Sequence, residues 1–290
     1  MSLPFLTPPK PLKALKPSLQ SMTPEVAAPT RPAVLIFAGL DPSGGAGLAA
    51  DICAIQAMGA HALPVITVLT AQDNNRVYGI SAVSDEWVRQ QADAVSAHIA
   101  VAAVKIGIIG SHANALVIAD IIRSLRQHNP LLPVVLDPVL ASGHGDALAQ
   151  DDPLHIIAPL LPLASVVVPN HPEALRLSHG AQEAFAQAQF LLHAGCGAVL
   201  LKGGHLDGEQ VTNHWFEKGS RQSWHWPRLP GSFHGSGCTL AASLAAALAL
   251  GLPDAAAQAQ AYTQAALAGA YRIAPGQLMP NRVTIREQEN

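Results

Sequence analysis

Residues 33 to 51 read AVLIFAGLDPSGGAGLAAD: a short apolar run, then a glycine-rich turn, then the start of a longer segment. The apolar run has the composition of a strand buried on both faces, as the strands of a parallel sheet are. The segment from residue 46 predicts a helix. Strand, loop and helix in this order form the repeating unit of an α/β fold.

The same unit recurs along the chain. Buried strands are predicted at residues 33–38, 62–69, 103–108, 133–136, 165–168 and 198–201. Helices are predicted at about 46–58, 85–98, 112–128, 171–178, 182–194, 236–250 and 254–272. Residues 210–216 and 221–226 flank a turn and predict an antiparallel hairpin at the sheet edge. We therefore predict an α/β fold with a central, mostly parallel sheet, helices on both faces and a small antiparallel edge hairpin.

The two ends of the chain differ from this central part. Residues 1–32 carry eight prolines and no apolar run of the kind that a secretory signal requires, so they predict a disordered tail. Residues 33–280 are expected to form one domain, because 290 residues with a hydrophobic content of 49% can bury a large core. Residues 281–290 are expected to be a C-terminal tail.

Composition limits the partners and the compartment. The net charge of -3 shows no excess of basic residues, which argues against a nucleic acid partner. Every apolar stretch is shorter than a membrane span of roughly 18 residues, so we expect a soluble protein with no membrane contact. The three cysteines are odd in number and lack CxxC spacing, which argues against disulfides and structural zinc. This pattern predicts a reducing cytoplasm.

The sequence FHGSGCTL at 233–240 leads from a glycine-rich turn directly into a small-residue helix. The backbone N–H groups of Gly235, Ser236 and Gly237 can converge on a phosphate oxygen there, and the helix dipole favours an anion. The same dipole is expected to lower the pKa of Cys238, which would then serve as a base or as an acceptor contact. The alternatives are a tight turn that only starts a helix and a cysteine that only packs in the core.

Other loops after predicted strands carry polar side chains at the sheet edge where ligands bind. The turn from Gly39 to Gly47 allows close backbone approach, and Asp51 either points back towards it or is a solvated helix residue. Asp137 and Glu173 offer hard oxygen ligands suited to Mg²⁺, although each alone is also consistent with a cap or a first-turn acid. Lys202 supplies a cation, unless it is only a solvated lysine at a strand end.

Together these segments resemble the hydroxymethylpyrimidine and phosphomethylpyrimidine kinases, a thiamine-pathway branch of the ribokinase superfamily. The resemblance covers about residues 33–272. It rests on AGLDPSGGAGLAAD at 38–51, TAQ at 70–72, KIG at 105–107, LDPV at 136–139, PNHPEA at 169–174, GCGAVLLKGGH at 195–205 and HGSGCTLAASLAA at 234–246.

The resemblance implies a ribokinase-like fold and a reaction. The expected activity is ATP- and Mg²⁺-dependent phosphorylation of 4-amino-5-hydroxymethyl-2-methylpyrimidine and then of its monophosphate, by a homodimer. It implies that Gln72 hydrogen-bonds the aminopyrimidine ring, which suits an amide because it offers both a donor and an acceptor. Gly39, Asp51 and Val139 would line the substrate pocket.

The resemblance also implies how the phosphates are held. Lys202 would lie near the ATP phosphates, and Asn170, Glu173 and Asp137 would organise magnesium, the carboxylates through water. Residues 235–238 would form an anion hole. Cys238 would take the place of the aspartate base found in most relatives.

The chain departs from the family pattern at several positions. Residues 140–145 read LASGHG, where many members carry a lysine, and Asp73-Asn74 replaces Asn-Thr after Gln72. These changes keep two alternatives open. One is a pyridoxal or pyridoxine kinase on the same scaffold, and the other is a catalytically weak pyrimidine-binding regulatory protein.

Overall fold

The computed structural model describes residues 30–141, 146, 148 and 151–283. The strands are β1 (Ala33–Leu40), β2 (His61–Gln72), β3 (Val77–Ala82), β4 (Val101–Ile106), β5 (Val134–Leu136), β6 (Val166–Val167), β7 (Ala198–Leu201), β8 (Gln210–Glu217) and β9 (Ser220–Pro227). The helices are α1 (Gly47–Ala57), α2 (Asp85–Ser96), α3 (His112–His128), α4 (Pro153–Ile157), α5 (His171–Leu177), α6 (Ala184–His193), α7 (Ser236–Ala249) and α8 (Ala255–Ala268).

The described strands form one sheet in the order β3-β2-β1-β4-β5-β6-β7-β8-β9. The six central strands pair in parallel, and their order in the sheet is β2-β1-β4-β5-β6-β7. The hairpin of β8 and β9 adds to β7 in antiparallel fashion. The predicted fold class, with its parallel sheet and antiparallel edge hairpin, is therefore confirmed.

The sequence did not predict β3 or α4. The β3 strand pairs antiparallel with β2 at the other edge of the sheet, and its residues are exposed or only partly buried. An edge strand of this kind lacks the continuous apolar run of the central strands, which is why the pattern missed it. The five-residue α4 helix is too short to show a helical repeat; it begins after Asp152, whose side chain accepts from the Leu154 N–H.

Strand β1 separates two apolar layers. Leu35 and Phe37 point into a core shared with α2, α3, α5 and α6, whereas Val34 and Ile36 point into a core shared with α1 and α7. All four side chains are fully buried. Burial on both faces explains why this run lacks the polar alternation of a half-exposed strand.

Helix α7 lies between the sheet, α1 and α8, and most of its residues are buried. Its alanines and glycine allow these neighbours to approach closely. The N-terminus of α7 lies at the carboxyl edge of the sheet, since a Cβ on Gly237 would lie 3.8 Å from Oδ2 of Asp137, the residue directly after β5. Ligands bind at this edge in α/β folds. The helix thereby brings residues 235–238 to the functional edge.

Both predicted tails lie mostly outside the described residues. Of the predicted disordered tail at 1–32, residues 1–29 lie outside the described part, as do residues 284–290 of the predicted C-terminal tail. Arg282 is buried, so the packed domain extends beyond the boundary drawn at residue 280. Within the described part of the chain, no helix is both long enough and apolar enough to cross a lipid bilayer.

Truncating the centre of the core tests this packing. We expect Phe37→Ala to lower the free energy of unfolding by about 3–5 kcal/mol, because it leaves a cavity against both the sheet and the helical layer. Urea denaturation followed by circular dichroism measures the change. Leu131→Ala is the control, since that side chain is 89% exposed. Equal losses in the two variants would contradict the assignment of Phe37 to the core.

Candidate active site

A cavity of about 820 Å³ opens at the carboxyl ends of the parallel strands. The carboxyl end of β2 and the loops after β1, β4, β5, β6 and β7 contribute to its wall, and the N-terminus of α7 forms part of its floor. Eleven of the twelve residues that the sequence singled out line this cavity: Gly39, Gln72, Asp137, Val139, Asn170, Glu173, Lys202, Gly235, Ser236, Gly237 and Cys238. Loops that are far apart in sequence therefore share one site.

Asp51 is the exception, and both of its predicted roles are wrong. It does not line the cavity and it is not solvated, because its side chain is fully buried. Asp51 Oδ2 accepts a hydrogen bond from Lys105 Nζ at 2.7 Å, while Oδ1 has no partner among the described residues. Burial raises the pKa of Asp51 to about 6, although the Lys105 ammonium opposes this shift.

Lys105 belongs to the KIG segment, and the sequence predicted no function for it. It is fully buried on β4, and burial acts against its charge, but Asp51, Cys238 and Asp137 raise its pKa above the usual value. A Cβ on Gly107 would lie 2.8 Å from Nζ, so a glycine there leaves space for the ammonium. A lysine inside an apolar strand run was the signal that could have revealed the pair.

The glycines of the α7 loop are explained by close backbone contacts. Gly235 has a left-handed conformation with φ of 74°, and a Cβ there would lie 2.1 Å from the Gly45 carbonyl oxygen. A Cβ on Gly237 would lie 3.1 Å from Lys202 Nζ. The loop is therefore pressed against the loop after β1 on one side and approaches Lys202 on the other.

Lys202, Asp137 and Glu173 form a charged group on the cavity wall. Lys202 Nζ lies 2.9 Å from Asp137 Oδ1 and 4.0 Å from Glu173 Oε2. Burial acts against the charge on Lys202, but the two carboxylates raise its pKa. Burial also raises the pKa of Glu173 to about 7, with Lys202 opposing and Asp137 reinforcing the shift.

Asn170 fixes the position of Glu173. The Asn170 side chain accepts from the Glu173 N–H at 2.8 Å, and Glu173 Oε2 accepts from the Asn170 N–H at 2.7 Å. This reciprocal capping box starts α5. Glu173 is thus a first-turn helix acid and a cavity residue at the same time.

The environment of Cys238 differs from the prediction. The thiol lies partly buried in the cavity wall, and burial raises its pKa to about 11, with Asp51 and Asp137 adding to the shift and Lys105 opposing it. The predicted lowering by the helix dipole is therefore wrong in direction, because desolvation outweighs the dipole. The thiol is protonated at neutral pH.

Two contacts missed by the sequence analysis hold the loops together. Asp41 accepts from the Ser43 and Ala46 N–H groups, and its Oδ2 lies 2.8 Å from His234 Nε2. Burial opposes ionisation of Asp41, but the hydrogen bonds from His234 and Ser43 lower its pKa. Arg282 contacts both loops from behind. Its position in the predicted C-terminal tail gave no signal of this role.

A buried amide network borders the other end of the cavity. Asn213 Oδ1 accepts from the Gly203 N–H at 2.9 Å, and Asn213 Nδ2 donates to Gln260 Oε1 at 2.9 Å. Trp226 Nε1 donates to the same oxygen at 3.1 Å. These residues come from β8, β9 and α8, so only the folded chain brings them together. The network fixes the backbone that follows Lys202.

The sheet order, the loops at its carboxyl edge and the glycine-rich start of α7 together define a ribokinase-like fold. The family model described as phosphomethylpyrimidine kinase matches residues 41–281. The chain belongs to this family, as the resemblance implied.

Individual proteins agree with this assignment. The chain is 39% identical over 257 residues to a hydroxymethylpyrimidine/phosphomethylpyrimidine kinase of Rhizobium meliloti, covering 84% of this chain and 93% of that protein. A crystal structure of phosphomethylpyrimidine kinase from Clostridium difficile aligns with a TM-score of 0.67 and 31% identity over 81% of this chain and 98% of that one. The fold is also similar to Staphylococcus aureus pyridoxal kinase in complex with AMP-PCP and pyridoxal, with a TM-score of 0.77, 23% identity and coverage of 90% and 97%.

Removing the buried lysine tests the Asp51–Lys105 pair. We expect Lys105→Met to lower the free energy of unfolding by about 3–5 kcal/mol, because it leaves Asp51 buried without its counter-charge. The loss should be smaller at pH 5 than at pH 8. Without Lys105 the pKa of Asp51 rises further above its usual value, so folding must either take up a proton or bury an unpaired carboxylate, and both cost more as the pH rises.

Urea titrations at both pH values measure this difference. Lys218→Met, on the exposed β8–β9 turn, is the matched control, and the double variant Asp51→Leu/Lys105→Met should recover most of the loss. A Lys105→Met protein as stable as the Lys218→Met control would exclude a structural role for the pair.

Proposed function

We propose that the chain phosphorylates 4-amino-5-hydroxymethyl-2-methylpyrimidine with ATP, and then its monophosphate, giving the pyrimidine diphosphate used in thiamine biosynthesis. The observation that carries the proposal is that Gln72, Lys202 and the Gly235–Cys238 loop line one cavity in a chain of this family. The Rhizobium meliloti relative is named for both phosphorylation steps.

In the proposed reaction the Gln72 amide holds the aminopyrimidine edge, because it can donate and accept at once. The hydroxymethyl oxygen forms a bond to the terminal phosphorus of ATP, and the bond between that phosphorus and the ADP oxygen breaks. The hydroxyl proton passes to Cys238 in its thiolate form, which is the minor form of this side chain at neutral pH. Lys202 and the N–H groups of residues 235–237 neutralise charge on the transferred group. Positioning and charge account for most of the catalysis in phosphoryl transfer.

Magnesium is part of the proposal. Asp137 and Glu173 suit a hard cation that keeps several waters, and among the described residues no cluster of three or more metal-ligating side chains forms a dedicated cage. The two carboxylates would hold Mg²⁺ through water, with Asn170 fixing Glu173 through the capping box. Bound there, the ion would neutralise phosphate charge.

The proposal also covers the compartment and the assembly. We place the enzyme in the cytoplasm because its three cysteines are free. Assembly as a homodimer follows from the resemblance. ATP and a small pyrimidine remain the proposed partners, without nucleic acid or membrane.

A pyridoxal kinase is the second candidate. The similarity of the fold to a pyridoxal kinase in complex with pyridoxal favours it, since pyridoxal also carries a hydroxymethyl group on a six-membered heterocycle. The identity to that protein is 23%, compared with 39% to the Rhizobium meliloti protein, so the pyrimidine is the preferred substrate.

A product assay decides between the two. Purified protein with ATP and Mg²⁺ is expected to convert the pyrimidine alcohol to its monophosphate and diphosphate, and mass analysis identifies the products. Chelation of the metal should abolish turnover. Pyridoxal is the competing acceptor. Phosphorylation of pyridoxal alone would reject the pyrimidine substrate, and pyrimidine binding without any turnover would favour a regulatory binding protein.

The raised pKa of Cys238 predicts a pH dependence. If the thiolate is the base, kcat/KM for the alcohol should rise by up to about tenfold per pH unit between about pH 7 and 9, because the thiol ionises only near 11. Cys238→Ala should flatten this rise and lower the rate on the order of 100-fold. The monophosphate is the internal control, because its phosphate oxygen needs no base at neutral pH. The same pH profile for both acceptors would rule out the thiolate as base.

A further inference from the structure

Arg282 is buried directly behind the loop that leads into α7, with 5% of its surface exposed. We propose that Arg282 is a positioning residue: it holds the backbone carbonyls of this loop so that the opposite N–H groups face the cavity. The inference deepens the proposed function and rests on it for the kinetic part of its test. Arg282 lies one residue beyond the segment that the family model matches.

The guanidinium contacts both glycine-rich loops. Its Nη2 donates to the carbonyl oxygen of Gly45 at 2.6 Å, of His234 at 3.2 Å and of Gly235 at 3.4 Å. Its Nε donates to Thr239 Oγ1 at 2.8 Å, and that hydroxyl in turn donates to the Gly235 carbonyl. One side chain therefore joins the loop after β1, the loop before α7 and the first turn of α7.

The choice of carbonyls determines the direction of the N–H groups. In a trans peptide the C=O and N–H bonds point in opposite directions. The His234 carbonyl shares its peptide plane with the N–H of Gly235, and the Gly235 carbonyl shares its plane with the N–H of Ser236. Arg282 holds these two carbonyls on the side of the loop away from the cavity. The two N–H groups therefore point towards the cavity, where the proposed anion hole needs them.

The backbone of Arg282 is fixed by α8. Tyr262 Oη donates to the Arg282 carbonyl at 2.8 Å, and the Asn281 N–H donates to the Ala266 carbonyl at 2.8 Å. The guanidinium is thus held in place before any ligand arrives. A lysine offers one compact ammonium and lacks the planar fork that reaches a hydroxyl and several carbonyls together.

A purely structural role predicts a different outcome from a positioning role. If Arg282 only anchors the chain end, its loss lowers stability and leaves the folded enzyme fully active. If it orients the N–H groups towards the cavity, its loss weakens the contacts to phosphate and to the transition state. The contacts to the pyrimidine ring and to adenosine are then unchanged. The tests therefore compare ligands that do and do not carry phosphate.

Kinetics of the full chain provide the first test. We expect Arg282→Met to lower kcat for the pyrimidine alcohol on the order of 10–100-fold, since direct loss of one anion-hole donor lowers rates more than this indirect change should. The KM for the alcohol should stay within about twofold, because the ring contacts are untouched. Arg272→Met, an exposed arginine ten residues earlier, is the matched control and should keep full activity.

Two further variants separate positioning from folding. Arg282→Lys keeps the charge but loses the planar fork of the guanidinium. Compared with Arg282→Met, it should recover more of the stability than of the kcat. Arg282→Ala leaves space for a free guanidinium ion, so millimolar guanidinium should raise its kcat about tenfold and leave the Arg272→Met rate unchanged. Full kcat in Arg282→Met with a lowered melting temperature, or no rescue by guanidinium, would overturn the proposal.

Calorimetry provides a test that needs no turnover. Affinity for AMP-PCP should fall on the order of tenfold or more in Arg282→Met, while affinity for adenosine stays unchanged. If the wild-type protein phosphorylates no pyrimidine yet shows this difference, the proposed substrate is wrong and the role of Arg282 stands. Equal weakening of both ligands would mean a general disturbance and would reject the positioning role.

Discussion

The site depends on one backbone contact, between the loop after β1 and the loop before α7. A side chain at Gly235 would collide with the Gly45 carbonyl, so the backbones of the two loops touch at this point. Asp41 and His234 pair across the contact. Because β1 carries the first loop and α7 the second, the contact joins the sheet to the helix layer at the point where phosphate binding is proposed.

Two buried lysine–carboxylate pairs lie near this contact, and they differ in access to the cavity. Lys105 and Asp51 are both fully buried and form an ion pair at 2.7 Å, so water does not screen either charge. Lys202 and Asp137 border the cavity, where the lysine keeps 13% of its side chain exposed. The charges of Lys105, Asp51 and Asp137 all act on the pKa of the Cys238 thiol. Because the lysine lowers this pKa and the carboxylates raise it, burial is the dominant influence.

The sequence predicted the features that depend on local pattern. Apolar runs located the central strands, and the glycine-rich turn before α7 located the loop that lines the cavity with Lys202 and Glu173. It failed where partners are distant in the chain. The Asp51–Lys105 pair needs β1, β4 and α1 to be assembled, and the pKa of Cys238 depends on desolvation, which only the packed structure defines. The sequence did not predict β3, because this edge strand has no continuous apolar run.

Arg282 and Gly45 are separated by 237 positions, so the site joins the two ends of the fold. A partial chain that contained only β1 to β7 would hold Asp137, Glu173 and Lys202 but would lack the loop that they face. Nucleotide affinity should therefore appear only with the completed domain and not build up in stages. A ligand that binds only this complete state stabilises the whole domain by mass action, so bound nucleotide should raise the stability of β1 and of the chain end around Arg282 together.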